Sequence, residues 1–121
     1  MFTVGYQYDY VYEYSLSTPY DVSSATYAGN AERFYVRTQE TFPHGLTFNN
    51  DGTKMYVIGS TGDDVNEYSL STAFDVSTAS YVQLFSVASQ ENVPTDVTFN
   101  NDGTKMFVIG QTGKDLSLIH I

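Results

Sequence analysis

The sequence contains no cysteine and no tryptophan, and only five of its 121 residues are basic. The absence of cysteine excludes disulfide bridges, thiolate metal sites and a cysteine nucleophile, and it leaves the redox compartment open. Fourteen acidic residues give a net charge of −9, so the surface is expected to repel phosphate backbones and anionic lipids. We therefore expect no nucleic-acid partner.

Long hydrophobic runs are also absent. No segment approaches the roughly 20 apolar residues of a membrane span, and the first residues, MFTVGYQYDY, lack the basic-then-apolar order of a secretory signal. Membrane insertion is therefore not expected. The hydrophobic fraction of 41% is that of a globular chain, so stability must come from burial and strand pairing.

What the sequence does contain is a repeat. Residues 47–62 read TFNNDGTKMYVIGSTG, and residues 98–113, 51 positions later, read TFNNDGTKMFVIGQTG. Residues 13–27 and 67–81, 54 positions apart, are identical at eleven of fifteen positions. A short insertion near Gly29, Asn30 and Ala31 accounts for the difference between the two offsets. Since Met1 aligns with Met55, the chain is expected to begin and end within a repeat.

Each repeat is predicted to hold four short antiparallel strands. In the best-preserved unit these strands are Leu46–Phe48, Met55–Gly59, Asp64–Leu70 and Val82–Val87. Asp51 and Gly52 supply the left-handed backbone positions of a tight hairpin. Tyr56, Val57 and Ile58 make both faces of the second strand apolar, as expected of a strand that is covered on two sides. Repeated units of four strands in roughly 40 to 50 residues indicate an all-β fold of β-propeller blades.

The string GLTFNNDGTKMYVIGSTGDDVNEYSL, residues 45–70, resembles the β-propeller repeats of the YVTN and lactonase-like group, with NHL-type blades next closest. The matching turns and strands are Asp51-Gly52, Tyr56-Val57, Thr61-Gly62, Val65 to Leu70, Asp102-Gly103 and Phe107-Val108. The resemblance implies a propeller fold and leaves the substrate class open. Closed propellers hold roughly 4 to 8 blades, so we predict an incomplete ring of about two to two and a half blades. The predicted divisions are a partial blade at 1–42, a full blade at 43–93 and a partial blade at 94–121, and self-association or further blades are expected to close the ring.

The candidate ligand-binding residues lie where the repeats disagree. His44 precedes a first strand, the element that lines the central channel of a propeller, and it aligns with Thr95 in the next copy. Asp96 aligns with Gly45. The resemblance to lactonases implies a channel site of acidic, asparagine and histidine side chains, of which His44 and Asp96 stand out here. Both are candidate ligand-binding residues, and an ordinary loop histidine is the favoured alternative for His44.

A row of tyrosines occupies alternate positions, which places the rings on one side of a strand and its approach turn. The row consists of Tyr6, Tyr8, Tyr10, Tyr12 and Tyr14. Only Tyr14 has a tyrosine counterpart, Tyr68. An aromatic ladder can stack on sugar rings or dock a partner, so the first four join the predicted ligand-binding residues. Packing against a neighbouring blade is the favoured alternative.

Motifs for catalysis or metal binding are missing. Asp63, Asp64, Asn66 and Glu67 offer oxygen ligands of the kind calcium binds, but Lys114 replaces Asp63 in the last copy, and a solvated turn explains the acids better. No HExxH, Walker loop or GxSxG is present. The tail DLSLIHI departs from the repeat after Leu116, and His120 is assigned no role.

These patterns predict a non-catalytic binding or structural module for protein or glycan, with no catalytic residue, no metal and no cofactor. The alternatives are a fragment of a lactonase-like propeller hydrolase and a calcium-stabilised surface adhesion module. An extracellular or cell-surface location is favoured, although the compartment is not determined.

Overall fold

A computed structural model of the chain describes residues 1–112 in full and the backbone of residues 116–120. Within these residues the chain forms eleven strands in three antiparallel sheets. The first sheet contains β1 (Phe2–Gly5), β2 (Tyr10–Leu16), β3 (Ala25–Tyr27) and β4 (Phe34–Tyr35). The second contains β5 (Pro43–Phe48), β6 (Lys54–Gly59), β7 (Asp64–Leu70) and β8 (Ala79–Ser86). The third contains β9 (Pro94–Phe99), β10 (Lys105–Gly110) and β11 (Leu116–His120).

The all-β prediction is confirmed, with four antiparallel strands in the order β5-β6-β7-β8 in the second sheet. The predicted third strand has the observed bounds, but β8 begins at Ala79 instead of Val82. The reason is that Ser80 and Ala79 continue the ladder opposite Ser69 and Leu70, so strand pairing outweighs the loop preference of the serines. The side chains of Lys114 and His120 lie outside the described residues.

The outer strand of the first sheet is divided. Both β3 and β4 pair with β2, through Tyr27 opposite Tyr14 and Tyr35 opposite Tyr10. Between them a single 3-10 turn, Asn30–Glu32, lies where the repeats predict an insertion. The extra residues therefore interrupt the ladder at the edge of the sheet and leave the inner strands intact.

Strand β6 is covered on both faces, as its apolar residues predict. Met55 and Val57 belong to a core between the first and second sheets. Ile58 belongs to a second core, between the second and third sheets, and Tyr56 packs against it. Three sheets stacked face to face are thus joined by two hydrophobic layers, and the middle sheet contributes to both.

The hairpin turns of the repeat follow the predicted backbone chemistry. Gly52 and Gly103 have φ angles of 74° and 71°, values that favour glycine. Asp51 Oδ1 accepts a hydrogen bond from Thr53 N, and Asp102 Oδ1 accepts one from Thr104 N, each at 3.0 Å. Hydrogen bonds from the threonine hydroxyls and amides lower the pKa of both carboxyls, so these aspartates stabilise turns.

A buried glutamate joins each sheet to the next. Glu40 follows the last strand of the first sheet and is fully buried. Its Oε1 accepts from Phe42 N at 2.7 Å and from Thr61 N at 3.1 Å, and its Oε2 accepts from Gly62 N at 3.3 Å. Glu91 accepts in the same way from the amides of Val93 and Thr112. Each glutamate thus fixes the turn between the second and third strands of the following sheet, at the end where β5 and β9 begin.

Helical structure is confined to short turns. The described residues include 3-10 helices at Val22–Ser24, Asn30–Glu32 and Val76–Thr78. Across the part of the chain that the structure describes, no helix has the length and apolar character needed to cross a membrane.

Candidate functional site

His44 is the second residue of β5, which begins at Pro43 and not at the predicted Leu46, and it faces the turn that follows β6. Its Nε2 lies 3.0 Å from Ser60 Oγ, and which atom donates depends on the imidazole tautomer. A second polar pair is close by in sequence, with Thr41 Oγ1 2.8 Å from Thr61 Oγ1. The start of β5 therefore presents an imidazole and three hydroxyl groups at one end of the sheets.

Tyr6 joins this end from the first sheet. Its ring stacks on Phe42, with centroids 5.6 Å apart and an angle of 20° between the planes. It also lies edge-on to His44 at 6.2 Å. Tyr6 is 60% exposed and Phe42 49% exposed, so both rings keep an open surface. We call Tyr6, Phe42, His44 and Ser60 the end cluster.

Asp96 lies at the same end, on β9. A Cβ atom added to Gly45 would lie 2.7 Å from Asp96 Oδ1 and 2.8 Å from the Thr95 carbonyl oxygen. Glycine is therefore required after His44, because the starts of β5 and β9 approach each other closely. Asp96 Oδ1 also accepts a hydrogen bond from Val97 N at 2.9 Å. The structure thus brings Tyr6, His44 and Asp96, three of the predicted ligand-binding residues, to one end of the molecule.

The tyrosine row is only partly continuous. Tyr10, Tyr12 and Tyr14 project from one face of β2, and rings from the outer strand extend that face. Neighbouring centroids lie 5.0 to 6.0 Å apart along Tyr35, Tyr10, Tyr12, Tyr27 and Tyr14. Tyr6 leaves the row, because the turn at residues 6–9, with Asp9 at a φ of 59°, bends the chain. The prediction that all five rings share one side is therefore wrong for Tyr6.

Tyr8, Tyr10 and Tyr12 remain apart from the end cluster. Tyr8 is 63% exposed on the turn, and the Arg33 guanidinium lies 4.1 Å over the Tyr10 ring. Burial raises the pKa of Tyr12, against the opposing charge of Arg33. In the repeat, Tyr14 takes the place of Tyr68, which is fully buried against the first sheet. This equivalence favours a packing face for Tyr10 and Tyr12.

Among the four side chains considered for calcium, Glu67 lies apart from Asp64 and Asn66. Asp64 and Asn66 are buried on one face of β7, where Asn66 Nδ2 donates to Asp64 Oδ1 at 2.8 Å. Glu67 points to the opposite face because strand residues alternate, and there it pairs with Lys54 at 3.1 Å. The carboxylates are thus divided between a buried polar contact and a surface ion pair.

An acidic group that the sequence does not predict lies between the first and second sheets. Carboxylate oxygens of Glu13, Glu32 and Asp75 lie within 4.8 Å of one another. Burial raises the pKa of Glu13, and the charges of Asp75 and Glu32 raise it further. Glu32 directly follows the insertion and aligns with Gln83, so the repeat does not signal this contact.

Asp64 predicts a pH dependence of stability. Burial raises the pKa of its carboxyl, and the charges of Glu40 and Asp63 add to the effect, whereas the Asn66 hydrogen bond opposes it. A raised pKa in the folded state means that the folded chain binds the proton more tightly than the unfolded chain. The contribution of Asp64 to stability is therefore greatest below the unfolded pKa and is lost as pH rises through the raised value. We expect the stability of Asp64→Asn relative to the wild type to increase as pH rises from about 4, the unfolded pKa, through the raised folded value. Urea unfolding at each pH measures this, and a difference that does not change with pH would contradict it.

Comparison with known proteins identifies the fold. The sequence matches no protein-family model, and no curated protein is significantly similar to it. The structure is similar to a proposed 6-phosphogluconolactonase from Bacteroides fragilis, with a TM-score of 0.64 and 18% identity, over 93% of this chain and 32% of the other. A proposed 6-phosphogluconolactonase from Bacteroides uniformis gives a TM-score of 0.66 and 15% identity, over 99% of this chain and 33% of the other. A protein from Lactobacillus plantarum gives a TM-score of 0.60 and 14% identity, over 93% and 35%.

The chain has a β-propeller fold, similar to that of the two Bacteroides proteins. It spans about a third of the length of the two Bacteroides proteins, and identity this low shows the fold alone. The three sheets are therefore propeller blades, and β1, β5 and β9 lie in consecutive blades. The predicted propeller resemblance is confirmed at the level of fold, whereas the predicted blade boundaries stay predictions.

The end cluster occurs at only one of the two blade interfaces. Between the second and third blades, the repeat places other residues at the positions of Tyr6, Phe42, His44 and Ser60. These residues are Ser60, Val93, Thr95 and Gln111. Phe42 and Ser60 are not among the residues predicted from the sequence. Phe42 differs from its repeat counterpart Val93, as His44 differs from Thr95, so comparison of the repeats could have identified it.

Proposed function

We propose that this chain is a propeller segment that acts as a non-catalytic binding module for protein or glycan, with its ligand at the end cluster. The observation that carries the proposal is that polar side chains shared by the repeats and polar side chains that differ between them have different surroundings. The shared side chains, such as Glu40 and Asp51, accept hydrogen bonds from backbone amides within the chain. Those that differ, Tyr6 and His44 above all, meet at one end with open surface.

A second candidate is a lactonase-like hydrolase. It is favoured by the 3.0 Å contact between His44 Nε2 and Ser60 Oγ, which is the contact that a nucleophile and its base make. The amides that follow Ser60 argue against it. Thr61 N and Gly62 N both donate to Glu40, and Ser60 N donates to the Phe42 carbonyl. These three backbone donors are therefore not free to stabilise an oxyanion.

The two candidates are separated by activity. We expect the purified chain to hydrolyse gluconolactone and 6-phosphogluconolactone no faster than buffer, because the amides of Ser60, Thr61 and Gly62 beside the hydroxyl–imidazole pair already donate to other acceptors. The measurement is proton release in a weakly buffered solution, with His44→Ala and Ser60→Ala as companion variants. Hydrolysis by the wild type that both variants abolish would overturn the binding module.

Binding itself is tested on arrays of immobilised glycans and purified proteins. We expect at least one ligand that retains the wild type and fails to retain a Tyr6→Ser, His44→Thr variant, which carries the residues of the next interface. Tyr81→Ser, on the exposed outer strand of the second blade, is the matched control and is expected to bind like the wild type. Equal retention of all three proteins would count against a ligand at the end cluster.

A further inference from the structure

We infer that the end cluster binds a neutral pyranose sugar, and this inference rests on the proposed binding function. The starting point is the pair of rings from different blades. Tyr6 and Phe42 lie nearly parallel, at 20°, and are 60% and 49% exposed. Contiguous exposed apolar surface of this kind marks interaction sites, whereas single exposed rings do not. The two rings stack on each other, and we call the aromatic surface that they leave exposed the platform.

A polar border adjoins the platform. His44 and Ser60 form one donor–acceptor pair, and Thr41 and Thr61 form another. Hydroxyl and imidazole groups both donate and accept hydrogen bonds. A pyranose ring has the matching character, because its C–H bonds form an apolar face and its hydroxyl groups surround that face. Aromatic stacking and a border of hydroxyls therefore fit a sugar better than they fit an apolar ligand.

The charges around the end cluster favour a neutral sugar over a phosphorylated one. Among the described residues, Lys54 is paired to Glu67 and Arg33 is stacked on Tyr10. Arg37 is paired at 3.1 Å to Asp9, which lies on the same turn as Tyr6. The remaining described lysine, Lys105, begins β10 near the turn of Asp102, at the opposite end of the strand from Asp96. The end cluster thus has an acidic neighbour, and no described lysine or arginine contacts it. A phosphorylated sugar would meet only the imidazole of His44 and no lysine or arginine there.

The repeat indicates that an equivalent backbone can form without these rings. The second interface places Ser60, Val93 and Thr95 at the positions of Tyr6, Phe42 and His44, with the same strand pairing around them. The triple variant Tyr6→Ser, Phe42→Val, His44→Thr therefore introduces residues that the same backbone already accommodates. It removes the platform and the imidazole with little expected change in stability.

The experiment is an NMR titration of the full chain with methyl β-D-glucopyranoside, methyl β-D-galactopyranoside, cellobiose and glucose 6-phosphate. We expect saturable shifts of the Tyr6, Phe42 and His44 ring protons with at least one neutral sugar, at dissociation constants of about 1 to 10 mM. Glucose 6-phosphate is expected to bind at least about tenfold more weakly than that neutral sugar, and the triple variant to lose about tenfold or more in affinity. Tyr20→Ser, at a fully exposed position of the first blade, is the control and should titrate like the wild type. A thermal melt of the triple variant establishes that it is folded.

Three results would overturn the inference: no ring shifts with any neutral sugar up to about 50 mM, undiminished binding by the folded triple variant, or equal affinity for the phosphorylated sugar. Failure of the inference is distinguishable from failure of the proposed function. If no sugar binds but an arrayed protein retains the wild type and releases the triple variant, the binding module stands and its ligand is not a sugar. If the triple variant is retained like the wild type on every array, both fail.

Discussion

Glu40→Ala is expected to lower the free energy of unfolding by about 3 kcal/mol. The buried carboxylate accepts hydrogen bonds from Phe42 N, Thr61 N and Gly62 N. Its removal leaves these amides without acceptors, at about 1 to 3 kcal/mol for each donor that water does not reach. We do not expect the full penalty for three unpaired amides. Thr61 and Gly62 are exposed residues of the turn, so water can hydrogen-bond to their amides in the variant. The measurement is urea unfolding of the variant and the wild type.

Glu67→Ala is the matched control for this prediction. Glu67 pairs with Lys54, whose side chain is 50% exposed, and surface ion pairs contribute about 0 to 1 kcal/mol. Glu40→Gln provides a second comparison, since it keeps one acceptor oxygen and removes the charge, and its loss should lie between those of the two alanine variants. A Glu40→Ala variant as stable as Glu67→Ala would contradict the role of Glu40 in joining the blades.

The parts of the fold that sequence predicts best are those set by near neighbours in the chain. Asp51 and Gly52 determine their hairpin within a few residues, because the aspartate bonds the amide two positions on and the glycine adopts a positive φ. The alternation along β6 likewise predicts two covered faces, since Val57 and Ile58 must point in opposite directions. Turn chemistry and strand periodicity are local, so one sequence suffices for both.

The candidate site is less predictable because it depends on contacts between blades. Phe42 gains its role from Tyr6, 36 residues earlier, and no local pattern links the two positions. Glu40 was missed for the same reason, although a signal existed. The linker segments VRTQETFP (36–43) and VASQENVP (87–94) differ at half their positions but share valine, glutamine, glutamate and proline. An acidic residue shared by two otherwise divergent linkers indicates that its carboxylate has a structural role, here as an acceptor for backbone amides of the following blade.

Gly59→Ala is expected to destabilise the chain by about 3 kcal/mol or to prevent folding, because a methyl group cannot be added there without overlap. A Cβ atom on Gly59 would overlap the Phe42 carbonyl oxygen and lie 2.5 Å from Glu40 Cγ and Cδ. Neither the Phe42 carbonyl nor the Glu40 side chain can move without losing hydrogen bonds. The Phe42 carbonyl accepts from Ser60 N at 3.2 Å, and the Glu40 carboxylate is held by three amides. Thermal and urea unfolding of the variant measure the loss.

Gly5→Ala is the internal control, because Gly5 occupies the position of Gly59 in the first blade and a Cβ atom there meets nothing within 4 Å. Since alanine restricts the unfolded chain more than glycine does, this change should be neutral or stabilising by up to about 1 kcal/mol. Equal losses at Gly5 and Gly59 would contradict the packing argument. The double variant Glu40→Ala, Gly59→Ala should lose less than the sum of the single losses, because truncation of Glu40 removes two of the atoms that the new methyl group meets. Such coupling would show that Glu40 and Gly59 pack as one unit. The next blade repeats this unit with Glu91 and Gly110, since a Cβ atom added to Gly110 would overlap the Glu91 side chain.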